Sequence, residues 1–172
     1  HQKRMIKSIE TSLKQIEKAK TMTSTEMIQE VKESLENYIV LKFGERGEEL
    51  NKEASADVIS KISHWTWADD WTPYITQSKA IFADFEALFN DGVKPTAPQA
   101  QALAKVNFEH GQKMQTLTKE KVLMNAALLR DKKFGEISNA QHVISHEVAC
   151  YMADAMEYFA NNNIKKNKKQ QG

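Results

Sequence analysis

The chain has 172 residues, room for one domain with a short appendage, and 41% of them are hydrophobic, enough to build a core. With 24 Lys and Arg against 23 Asp and Glu the net charge is +1, so this stretch lacks the basic excess that DNA binding on its own would need. Cys150 is the single cysteine, which excludes an internal disulfide and fits a cytoplasmic setting. No apolar run approaches the ~18 residues of a membrane span and no signal peptide is visible, so no membrane partner is expected.

In chain order, Ile6, Ile9, Leu13 and Ile16 are spaced 3, 4, 3 and form an a/d seam with charged residues on the other faces. This seam reads either as a surface helix or, the reading favoured here, as half of a helix pair made with a second chain. The opening "HQKRMIKS" enters that helical pattern without an initiator Met and reads as a piece of a longer protein. Thr23 and Glu26 have capping-box spacing and start a helix whose apolar face is Met27, Val31, Leu35, Tyr38 and Ile39. "FGERGEE" ends it. Residues 48–62 are weakly patterned and read as a second short helix or a mobile connector.

"SHWTWADDW" then holds every tryptophan of the chain: Trp65, Trp67 and Trp71. Such a cluster is either dense core or the wall of a ligand pocket. Thr72-Pro73 opens a helix with a broad face, from Tyr74 and Ile75 through Phe85 to Phe89, which "NDGVKPTAP" breaks. Thr96 and Gln99 form a second capping box, predicting a helix that runs through Leu103, Val106, Phe108, Met114 and Leu117. Residues 119–130 predict a short helix and "RDKKFGEIS" a surface turn. Ser138 with Gln141 predicts the cap of a last helix whose face is Ile144, Val148, Met152, Ala155 and Phe159. The fold class is all-α. Its parts are a dimerisation helix over 1–21, a ligand-binding domain over 22–163 and a disordered basic tail over 164–172.

Chemistry-bearing patterns are sparse. There is no phosphate loop, dinucleotide turn, nucleophile elbow or Cys-based zinc pattern. His142 and His146 stand at i and i+4, a spacing that suits a metal only with further ligands such as His110 or His64. Ordinary structural histidines explain the pair more simply, and a haem ligand has no specific support. Asp69 and Asp70 beside the tryptophans could form an acid–base pair, but a helix start favours acidic residues anyway. Met114, Met124, Met152 and Met156 fall on apolar faces, where Met either fills a core or accepts varied ligands. These residues describe a binding module without a catalytic set, a metal or a cofactor.

Several stretches resemble MerR-type transcription activators in the branch with a TipAS-type antibiotic-recognition domain. "KRMIKSIETSLKQIEKAKTMTSTEMIQEVK" is similar to that family's dimerisation helix and its "MT-x-E-EM" helix start. "WTWADDW" followed by "ALFNDGVKP" resembles "YT-x-EDW … ALMDAG-x-P". "FEHGQKM" resembles "DHR-x-x-I", and "KKFGEISNAQHVISHEVACYMADAMEYFANN" resembles the closing "ERFT-x-NID … GLAAYMRDAI-x-x-N". The resemblance implies a homodimer joined by an antiparallel coiled coil and a globin-like helical domain without haem. It also implies DNA contact only through a missing N-terminal helix-turn-helix domain. The implied ligand is a bulky hydrophobic small molecule or antibiotic, whose binding orders mobile helices; residues 44–62 suit that role. On this reading Trp67, Trp71, Tyr74, Phe108, His110 and Met114 neighbour the cleft. A stand-alone drug-sequestering resistance protein without DNA binding is the alternative. In one place the chain departs from the family: a His-Tyr-Asp-Cys stretch, whose Cys traps dehydroamino acids in some relatives, is replaced by "QTLTKEKVLMN", which has no Cys.

Overall fold

The computed structural model describes residues 24–62, 72–137 and 143–164. They form six helices: α1 (Ser24–Ile62), α2 (Thr72–Asn90), α3 (Pro98–Gly111), α4 (Lys119–Leu129), α5 (Lys132–Ile137) and α6 (His146–Asn163). The fold is all-α as expected, with no strand among the described residues. The dimerisation seam, the three tryptophans, His64, Asp69, Asp70, His142 and the tail from 165 lie outside the described residues.

α6 is the spine of the main core. Val148, Tyr151, Met152, Ala155, Met156, Phe159 and Ala160 recur at spacings of three and four and are all buried. A stripe that wide has to be covered on several sides, and α2, α3 and α4 cover it, with the α4–α6 contact the most extensive. Phe85, fully buried, and Ile81 reach in from α2, Ala100 and Ala104 from α3, and Val122 from α4. The alanines let the helix axes come close, so ridges of one helix settle into grooves of the next.

α1 is built differently. It consists of two helical arms across a kink at Gly44, whose φ of 64° and ψ of −157° suit a residue without a side chain. Gly44 therefore bends the helix instead of ending it, and the weakly patterned stretch after it is the second arm. Ile39 from the first arm and Leu50 from the second meet Met124 and Leu128 of α4, with Phe43 and Phe134 packed alongside. The rest of this contact is polar.

Local chemistry accounts for the helix ends. α2 closes with Gly92 at φ 68°, its N–H bonded to the Phe89 carbonyl and the Val93 N–H to that of Leu88, the pattern of a Schellman cap. Thr118 caps α4 by accepting from the Lys121 N–H at 3.3 Å. Four expectations are corrected. The capping box at Thr96 does not form: Ala97 is the cap residue, without a side-chain bond, and Pro98 opens α3. α3 ends at Gly111, so Met114 and Leu117 sit in the turn that follows. "RDKKFGEIS" is not a bare turn, because Asp131 Oδ1 accepts from the N–H groups of Lys133 and Phe134 and starts α5. α6 begins at His146 with Ser145 as its cap, bonded to the Val148 N–H, so the cap at Ser138 is superseded.

Candidate functional site

A hollow of about 270 Å³ opens between the end of α3, the turn after it, and helices α4, α5 and α6. Leu117, Val122, Ala126, Leu128 and Leu129 form one wall, and Phe134, Met152 and Met156 form the other. Val122 and Ala126 lie one turn apart on α4, as Met152 and Met156 do on α6, so two facing apolar stripes continue from core into hollow. Three carboxamides, Asn107, Gln115 and Asn125, complete the lining with Gly111. Asn107 donates from Nδ2 to the Met156 sulfur at 3.3 Å, which fixes its rotamer and leaves Oδ1 for another donor. A hollow that is mostly apolar with a few polar groups has the make-up of a small-molecule site, and its volume is just below the usual range.

The expected cleft residues that the structure describes stand elsewhere around α3. Tyr74 of α2 stacks on the His110 ring, with centroids 4.1 Å apart and planes 20° from parallel. Ser78 Oγ lies 2.8 Å from His110 Nε2, and Gln77 Oε1 lies 3.2 Å from Nδ1 while also accepting from Lys113 Nζ at 2.7 Å. His110 is buried. Burial, with the Lys113 ammonium nearby, pushes its pKa down and favours the neutral ring. Burial also raises the Tyr74 phenol. Phe108 packs against Phe159, centroids 5.5 Å apart, and Met114 is half-buried in the turn. None of these four lines the hollow. Asn107, Gly111 and Gln115, their sequence neighbours, do. The motif "FEHGQKM" overlaps the segment that lines the hollow, while Phe108 and His110 pack on Phe159 and Tyr74. Trp67 and Trp71 lie outside the described residues.

The model of the TipAS antibiotic-recognition domain matches residues 48–159. The chain belongs to that family. The match runs from the second arm of α1 through most of α6 and takes in every residue that lines the hollow of this TipAS domain. No curated protein and no solved structure matches the chain. The segment "QTLTKEKVLMN", where the resemblance led one to look for a reactive Cys, supplies Gln115, Leu117, Val122 and Asn125 to the hollow, and none of these is a nucleophile. Cys150 does not line it, and burial raises the Cys150 thiol pKa, so the thiolate is disfavoured.

A second hollow, about 280 Å³, lies between α1 and α4, lined by Phe43, Leu50, Leu123 and Met124 together with Arg46 and Glu120. Arg46 donates from Nε to Glu120 Oε1 at 2.8 Å and from Nη2 to Oε2, a two-pronged pair. Among the described residues no group of three His, Cys, Asp or Glu side chains is placed to hold a metal ion.

Proposed function

We propose that this TipAS domain binds a hydrophobic small molecule reversibly in the hollow between α3, α4 and α6, and that it is the sensing region of a MerR-type activator. The observation that carries the binding site is a mostly apolar hollow whose entire lining falls inside the family match. Burial of ~300 Å² of apolar ligand surface contributes about 7 kcal/mol gross, part of which is spent on ordering and desolvation. A bulky antibiotic exceeds the present volume, so part of it would sit in the hollow and the rest against the surface. Tyr74, Phe108, His110 and Met114 then act as supports: they hold α3 against α2 and α6 and so set the distance across the hollow. Trp67 and Trp71 remain proposed contacts.

The regulatory part rests on the likeness of residues 3–32 to a dimerisation helix, with Ile6, Ile9, Leu13 and Ile16 as its seam. A ligand shifts such a regulator only if it prefers one conformation over another. A thermal-shift series with hydrophobic antibiotics tests the binding. A true ligand at ~100 times its Kd stabilises the domain by about 2.7 kcal/mol. Its loss in Asn125→Trp, an exposed position at the rim, ties binding to the hollow. A flat response across the series, with unchanged tryptophan emission, overturns the proposal.

A further inference from the structure

The two hollows differ in their ionisable lining. Every residue lining the α3–α4–α6 hollow is either apolar or a carboxamide, and no ionisable side chain contributes to it. The α1–α4 hollow carries Arg46 and Glu120. Of the charges next to the first hollow in sequence, Lys133 sits over the Tyr38 ring, 5.8 Å from its centroid, and the others are in ion pairs. Lys121, beside Val122, is buried and reaches Glu53 at 3.4 Å and Asp57 at 3.7 Å. Arg130, beside Leu129, pairs with Asp154 at 2.7 Å and with Glu157. Those two carboxylates stand on either side of Met156 in the α6 sequence, and neither they nor Arg130 lines the hollow. Asp131 is held by Lys42 and Tyr38.

From this we infer that the hollow selects uncharged ligands and rejects both anionic and cationic versions of the same skeleton. The inference rests on the proposed binding site and adds the chemical class that site takes. An ion entering would shed water against leucine, valine and thioether surface with no counter-charge, a transfer that costs far more than moving a neutral amide or hydroxyl. The carboxamides offer donors and acceptors but no net charge. The side-chain amides of Gln115 and Asn125 have no protein partner among the described residues, and Asn107 has its oxygen free for a donor. The preferred ligand is therefore a neutral apolar molecule with a hydrogen-bonding edge of amide, carbonyl or hydroxyl groups.

Matched naphthalene probes test this on the full chain. N-phenyl-1-naphthylamine is neutral, 8-anilino-1-naphthalenesulfonate is the same skeleton with an anion, and N-(1-naphthyl)ethylenediamine is a related cation. Fluorescence titration is expected to give the neutral probe at least about tenfold the affinity of either charged one. Asn125→Lys, at an exposed position, should bring the sulfonate to within about threefold of the neutral probe. Asn125→Asp should do the same for the cation. Asn125→Trp should remove neutral-probe binding. Charged and neutral probes that bind alike, and are both lost in Asn125→Trp, overturn the charge selection and leave the site standing. So does a sulfonate affinity that Asn125→Lys leaves unmoved. A neutral probe that fails to bind, or that ignores Asn125→Trp, overturns the site and this inference with it.

Discussion

The α2–α3–α4–α6 body and the α1 flank are both helical and share α4, yet different forces hold them. In the body, spacings of three and four on α6 meet matching faces on three partners, and Phe85 is sealed at the centre. In the flank, four buried apolar residues carry the contact, and ion pairs and hydrogen bonds do the rest. Tyr38 and Lys42 of the first arm reach Asp131, Arg46 reaches Glu120, and Glu53 and Asp57 of the second arm reach Lys121. Asp57 also accepts from the Thr116 N–H at 2.8 Å, between Gln115 and Leu117 of the hollow. Hydrophobic burial is indifferent to pH and little weakened by salt, while exposed pairs are screened and titrate. The body should therefore behave as one cooperative unit and the flank as a part that loosens first.

The largest effect expected from this contrast separates two core truncations. Phe85→Ala should cost about 3–5 kcal/mol and lower the midpoint of global chemical denaturation, because a sealed site cannot collapse around the loss. Leu50→Ala should cost about 2 kcal/mol and act locally, seen as faster hydrogen exchange over residues 33–60 with the body still protected. If Leu50→Ala exposes both regions equally, α1 belongs to the same cooperative unit and the contrast is wrong.

Acid should sharpen the same difference. The Lys42 ammonium, then the Tyr38 hydroxyl, hold the Asp131 carboxyl well below its ordinary range, and Arg46 lowers Glu120 likewise. A carboxyl depressed on folding contributes stability that is complete above its unfolded pKa and is lost as pH falls towards the folded value. Hydrogen-exchange protection of α1, taken relative to the intrinsic exchange rate at each pH, should be constant above about pH 5 and fall below about pH 4, ahead of α6. Asp131→Asn should weaken α1 by about 1.5 kcal/mol at neutral pH and flatten that acid response. Equal acid sensitivity in α1 and α6 would count against the ionic account.

The last effect concerns the kink. Gly44→Ala meets no atom within 4 Å, so only the backbone opposes it: φ 64° with ψ −157° is a region nearly confined to glycine, at a cost of about 1–3 kcal/mol. Its cost should appear in α1 exchange alone, and a normal rate there would show that the bend is not required.

The sequence by itself determined the helical class, most of the helices, the face of α6 and the family likeness, because these depend on local spacing and on motif order. Val148, Met152, Ala155 and Phe159 were legible as one face, and Met152 and Met156 as candidates for an adaptable surface. Asp131 as a helix starter was hidden, since its bonds to Lys133 and Phe134 look in sequence like turn chemistry. The α1 arms were only half legible: a helix held by a few apolar anchors and by charge pairs to distant residues shows no strong periodicity. The wall of the hollow was the hardest to foresee. Which residues of "VNFEHGQ" face the hollow depends on the rotation of α3 against its neighbours, and the packing of Phe108 on Phe159 and of His110 on Tyr74 decides it. Only the tertiary structure turned Asn107 and Gly111 towards the hollow and drew the charges of Lys121 and Arg130 into pairs of their own. Such pairings join residues far apart in the chain, where no local pattern records them.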